Sequence, residues 1–164
     1  MAKPTTYATP ICLFLSLVAA VGIVIGFVQQ NPLWAIILLI PAVGYEVYRT
    51  EGASTKLASW GLLILLIAEL ICVVFGVHYD LATFMEQDSA YIAGTVVPLG
   101  DITVVFPMVM AALAVVLFVR TAGIYTKWLA VIIFASMVST VYLISPTGFG
   151  DLIRSAIRSV LWYF

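Results

Sequence analysis

The sequence predicts an all-α integral membrane protein: five transmembrane helices followed by a C-terminal amphipathic helix lying in the membrane interface. Three observations lead there. Of the 164 residues, 64% are hydrophobic and 9% are charged, against about 45–50% and about 25% in a soluble domain. The mean hydropathy is +1.19. The apolar residues also fall into runs of roughly 16–22, the length that a bilayer's hydrocarbon core demands of a helix. With seven Lys+Arg against eight Asp+Glu and no basic cluster, no nucleic-acid partner is expected. The length suits one polytopic domain, residues 1–164.

The first span is predicted over 10–28. Pro10 suits a helix's first turn, and the apolar run is longer than a signal-peptide core, with no Ala-x-Ala site after it, so it reads as a retained span. Gly22 and Gly26 form a GxxxG on this helix, which lets another backbone approach closely, within the chain or in a second copy. Gln29-Gln30-Asn31-Pro32 is a tight polar turn. The second span covers 33–48, with Trp34 as an interfacial anchor and Pro41 as a kink that Gly44 eases. Glu46 and Arg49 share a face at its exit and read as a snorkelling ion pair.

A polar loop with Arg49, Glu51 and Lys56 leads to the third span, 57–78, which carries Glu69 near its middle. The segment after it holds Tyr79, Asp80, Glu86, Asp88 and Asp101. Gly94, Pro98 and Gly100 break its apolar run, so it is read as an interfacial loop rather than a re-entrant piece. Asp101 is a good N-cap for the fourth span, 102–119, which Pro107 can bend. A short basic turn ends at Lys127, and the fifth span follows over 128–144. Its Ser136, Ser139 and Thr140 suit a helix–helix seam. The tail, 149–164, is too short and too charged to span. Its apolar stripe lies opposite Asp151, Arg154, Ser155, Arg158 and Ser159, so it is expected to lie in the interface or on a partner, with Arg154, Arg158 and Trp162 at the surface.

Placing the N-terminus in the cytoplasm puts Lys3, Arg49, Lys56, Arg120 and Lys127 inside and only Arg154 and Arg158 outside, as the positive-inside rule favours. The membrane this suggests is a prokaryotic plasma membrane, with an organelle inner membrane as the alternative.

Glu69 is the sharpest feature. A carboxyl at mid-depth costs about 2.5–3.5 kcal/mol to insert and is by default a functional-site hypothesis, here a proton or cation site. Its helical neighbours Leu65, Leu66, Cys72 and Val73 cannot pair with it, and desolvation penalises its charged form. The competing reading is a protonated Glu bonded to the hydroxyls of Ser136, Ser139 or Thr140. His78, nine residues along the helix, falls on the opposite face about 13 Å away and cannot relay directly.

His78, Tyr79, Asp80, Glu86 and Asp88 match no metal loop and read as a solvated acidic surface. Cys12 and Cys72 form no C-x-x-C and read as packing residues. No P-loop, GxGxxG, H-E-x-x-H or G-x-S-x-G is present, so no catalytic residue, cofactor or metal ligand is assigned. Small size and thin loops point first to an accessory or structural subunit of a multi-subunit membrane complex. The alternative is a small oligomeric proton-coupled carrier or channel using Glu69. The expected partners are the bilayer and either other membrane subunits or further copies of the chain.

Overall fold

The computed structural model describes residues 7–76, 89–92, 95–98, 102–146 and 149–150. It is helical apart from one short hairpin: α1 Ala8–Gln29, α2 Leu33–Arg49, α3 Ala53–Phe75, β1 Ser89–Ile92, β2 Thr95–Pro98, α4 Ile102–Arg120 and α5 Ile124–Ile144. Four of the helices are long and apolar enough to cross a membrane: α1, α3 from Thr55, α4 from Thr103, and α5. The chain is thus an integral membrane protein in contact with lipid. The fifth helix, α2, has 17 residues, about 25 Å at 1.5 Å per residue, a little short of a core about 30 Å thick.

Helix ends follow local turn chemistry. Gln30 closes α1 with φ 52°, its N–H donating to Gly26 O. Asn31 Oδ1 then accepts from Leu33 N at 3.0 Å, tying off a free donor at the start of α2. α2 continues unbroken through Pro41, which sits on its exposed face. α3 starts four residues earlier than expected and closes at Phe75 instead of residue 78. Gly76 takes the left-handed conformation (φ 61°), and its N–H returns to Cys72 O, the usual glycine C-cap. α5 also begins four residues early, at Ile124, where Thr126 Oγ1 donates back to Gly123 O at 2.7 Å.

The segment expected to be an interfacial loop contains the antiparallel β1–β2 hairpin, with Ser89 opposite Pro98 and Ile92 opposite Thr95. His78, Tyr79, Asp80, Glu86, Asp88 and Asp101 lie outside the described residues. So does the tail from residue 151 onward, with Arg154, Arg158 and Trp162.

The helices form a closed ring in which α1 packs on α2, α2 on α3, α3 on α4, α4 on α5 and α5 on α1; α2 also reaches α5. Short turns join α1 to α2, α2 to α3 and α4 to α5, and the Thr9–Tyr125 and Ser16–Trp128 bonds set the start of α5 beside the start of α1. The start of α1, end of α2, start of α3, end of α4 and start of α5 therefore share one end, which carries Arg49, Lys56, Arg120 and Lys127 and is called the basic end below.

α1, α3, α4 and α5 are apolar nearly all round, so their inward face is marked by a spacing of three and four, not by hydrophobicity. The buried positions are Ala8, Cys12, Leu15, Ala19, Gly22 and Gly26 on α1, and Thr55, Ser59, Leu62, Leu66 and Glu69 on α3. On α4 they are Thr103, Pro107, Met110, Ala114 and Leu117. That is the seam of left-handed helix packing. Phe14, Val28, Leu57, Ile64, Phe75 and Val119 are exposed, as suits a surface whose solvent is lipid.

Candidate functional site

Gly22 and Gly26 sit at close helix contacts. A Cβ on Gly22 would stand 2.8 Å from Leu38 Cβ and 3.1 Å from Trp34 O, and one on Gly26 would meet Leu143 Cδ1 at 3.2 Å. The GxxxG is therefore occupied by α2 and α5 of the same chain. Ser136 and Thr140 are buried on α5, Thr140 Oγ1 donating to Ser136 O at 2.9 Å. Ser139 lies nearer the surface and donates to Ala135 O at 2.8 Å.

Among the described residues two carboxyls are wholly enclosed by the bundle, Glu46 on α2 and Glu69 on α3, each with 0% of its surface exposed. Glu46 is the residue the sequence reading placed in a surface ion pair, and the structure corrects this. The Arg49 guanidinium is taken up by aromatic rings, donating to Tyr45 Oη at 3.3 Å and lying 4.7 Å over the Tyr125 ring. The group that reaches Glu46 is Thr50, whose hydroxyl donates to Oε1 at 3.0 Å and to the Glu46 carbonyl at 2.7 Å. Ser59 Oγ in turn donates to Thr50 Oγ1 at 3.0 Å. A hydroxyl chain, Ser59 to Thr50 to Glu46, thus joins α3 to α2 at the basic end. Glu46 Oε2 has no hydrogen-bond partner among the described residues.

Signals for this cluster were available. Glu46 stands seven residues beyond Leu39, in the same seam register. Threonine one turn beyond a carboxylate is also a natural donor to it on a helix.

Glu69 is more isolated. Neither of its oxygens has a partner among the described residues. None of the three α5 hydroxyls reaches it: two return to their own helix, and Ser136 Oγ is itself without a partner among those residues. The topology gives the reason, since α3 and α5 face each other across the ring with α2 and α4 between them. Sixteen residues from the start of α3 place Glu69 about 24 Å from the basic end, and six from its finish leave about 9 Å to the other. Glu46 lies only about 4.5 Å from the basic end of α2, so the two acids are about 20 Å apart along the bundle. Between them the interior is filled by Leu39, Val43, Leu62, Leu66 and Ile133, all at 0–1% exposure.

A carboxyl buried in an apolar interior is costly unless a hydrogen bond or a counter-charge compensates it. Among the described residues no group of three or more His, Cys, Asp or Glu stands close enough to hold a metal.

The basic end is tied by further polar contacts: Thr9 Oγ1 with Tyr125 Oη at 2.8 Å, and Trp128 Nε1 donating to Ser16 Oγ at 2.9 Å. The far end is aromatic, Tyr142 packing against Phe27 and edge-on against Phe149. Set against protein-family models, curated proteins and solved structures, the chain matches none.

Proposed function

We propose that the protein is a small proton-coupled membrane carrier or channel, working as an assembly of copies, with Glu69 as its protonatable site. One observation carries the reading: Glu69 is fully enclosed and neither carboxyl oxygen has a partner among the described residues. A bonded glutamate would be explained as glue between helices. A partnerless one costs stability without contributing contacts, and in a membrane such residues mark ion and proton pathways. Glu46 extends the argument as a second buried acid near the opposite end, separated from the first by an apolar plug.

We count α2 as a fifth crossing. It runs between turns at opposite ends of the bundle and packs antiparallel to α1 and α3. The positive-inside rule then makes the basic end cytoplasmic and sets Glu69 nearer the outside. A proton-motive membrane, such as a prokaryotic plasma membrane or an organelle inner membrane, is where such a site would act. The tail fits an interfacial helix by its amphipathic stripe.

The test is proton flux into proteoliposomes carrying an internal pH dye. Glu69→Gln is expected to abolish flux while leaving helicity and elution volume unchanged. A Glu69→Gln protein that conducts like the original overturns the reading.

A second reading, an accessory subunit of a larger membrane complex, is favoured by the packed apolar side chains between Glu46 and Glu69. It predicts foreign chains co-purifying after mild-detergent extraction and native mass measurement, with Glu69→Gln assembling normally.

A further inference from the structure

Two adjoining grooves run along the outer face between α4 and α5. One, of about 330 Å³, is lined by Phe118, Ile124, Lys127, Trp128, Val131 and Ile132. The other, of about 170 Å³, continues from it past Ala114, Ala130 and Phe134, sharing Phe118 and Val131. Ala114 and Ala130 are buried small side chains, while Phe118, Val131 and Phe134 stand 41–51% exposed. The result is an apolar trough that starts at the basic end and extends ten residues along α5, about 15 Å. Lys127 stands at its mouth. Its ammonium lies 5.7 Å from the Phe118 ring centroid, and among the described residues it has no carboxylate partner.

We propose that this trough binds an anionic phospholipid, one acyl chain lying along Phe118, Val131 and Phe134 and the phosphate resting on Lys127. The occupant follows from placement and charge. The trough opens on the lipid-facing side of two spanning helices, so hydrocarbon chains are the solvent that meets it. The cation sits at the level of the basic end, where headgroups lie, and basic pockets between spanning helices select anionic headgroups. A partner helix seated there would have to cover the Lys127 ammonium with apolar surface. The proposal goes beyond the Glu69 reading and does not depend on it.

Trp128 lines the trough and supplies the probe. In a protein whose Trp34, Trp60 and Trp162 are changed to Phe, fluorescence is measured in phosphatidylcholine vesicles doped with chain-brominated lipid. Brominated phosphatidylglycerol is expected to quench Trp128 at about one fifth the mole fraction that brominated phosphatidylcholine requires. Lys127→Gln is expected to bring the two together. Native mass spectrometry of the unaltered chain gives an independent readout: phosphatidylglycerol is retained over phosphatidylcholine, and Lys127→Gln removes the preference. Equal quenching by both lipids, a preference that survives Lys127→Gln, or Trp128 shielded from both lipids by a protein neighbour would each overturn the proposal.

Discussion

Replacing Glu69 by leucine should make the protein more stable. Both oxygens are buried without partners among the described residues, and a buried polar group left unsatisfied costs about 1–3 kcal/mol. Leucine removes that cost and continues the seam set by Leu62 and Leu66 with a side chain of similar bulk. The expected gain is therefore about 1–3 kcal/mol, or roughly 5- to 150-fold in the unfolding equilibrium. Glu69→Gln keeps the shape and an equally unsatisfied amide, so it should stay within about 0.5 kcal/mol of the original. The assay is reversible unfolding in mixed micelles with rising SDS, followed by far-UV circular dichroism. A Glu69→Leu protein destabilised by about 1 kcal/mol or more would refute the reasoning, because a loss of that size implies a bonded carboxyl. The same pair of variants separates folding from function: leucine and glutamine should both end proton flux, while their stabilities move apart.

Two further substitutions probe the packing in the same unfolding assay. Gly22→Ala forces a methyl to within 2.8 Å of Leu38 Cβ, whereas Gly44→Ala meets nothing within 4 Å. The first should lose about 1–2 kcal/mol and the second gain up to about 1 kcal/mol from helix propensity; equal effects would contradict the close approach of α1 to α2. Thr50→Val leaves Glu46 Oε1 and Ser59 Oγ without each other's bridge. It should cost about 1–3 kcal/mol, and much less in a Glu46→Leu background, so additive losses would rule out the Ser59–Thr50–Glu46 chain.

Much of the architecture could be read from hydropathy, and the site could not, for one physical reason. Where lipid is the outer solvent both faces of a helix are apolar, so periodic hydrophobicity cannot say which side is inward. Small and polar residues say it instead: Gly22 and Gly26 on α1, Thr55, Ser59 and Glu69 on α3, and Ser136 and Thr140 on α5 all fall on buried positions. Glu46 follows the same rule. Proximity to the helix end and to Arg49 suggested a solvated pair, but its seam register with Leu39 and Val43 carries it inward, and Tyr45 and Tyr125 draw the arginine away. The limits of α3 are set where a glycine takes positive φ: Gly52 (φ 108°) precedes its start at Ala53, and Gly76 (φ 61°) stops it at Phe75. The failed link between Glu69 and the α5 hydroxyls lay beyond reach, because ring order among five helices is a property of the packed whole.

The central placement of α2 has a consequence for biogenesis. This helix packs on α1, α3 and α5, yet it leaves the ribosome before α3 and α5. Its Arg49 is covered by Tyr125, which is made 76 residues later (125 − 49). At about 5–20 residues per second that is an interval of roughly 4–15 s. Throughout it, α2 waits with a cation uncovered, held by α1 through Gly22 and Gly26. The α1–α2 hairpin is thus a unit that must hold until α5 is made. A lesion at Gly22 would strike before the bundle exists, lowering the yield of inserted protein more than the stability of the molecules that do mature.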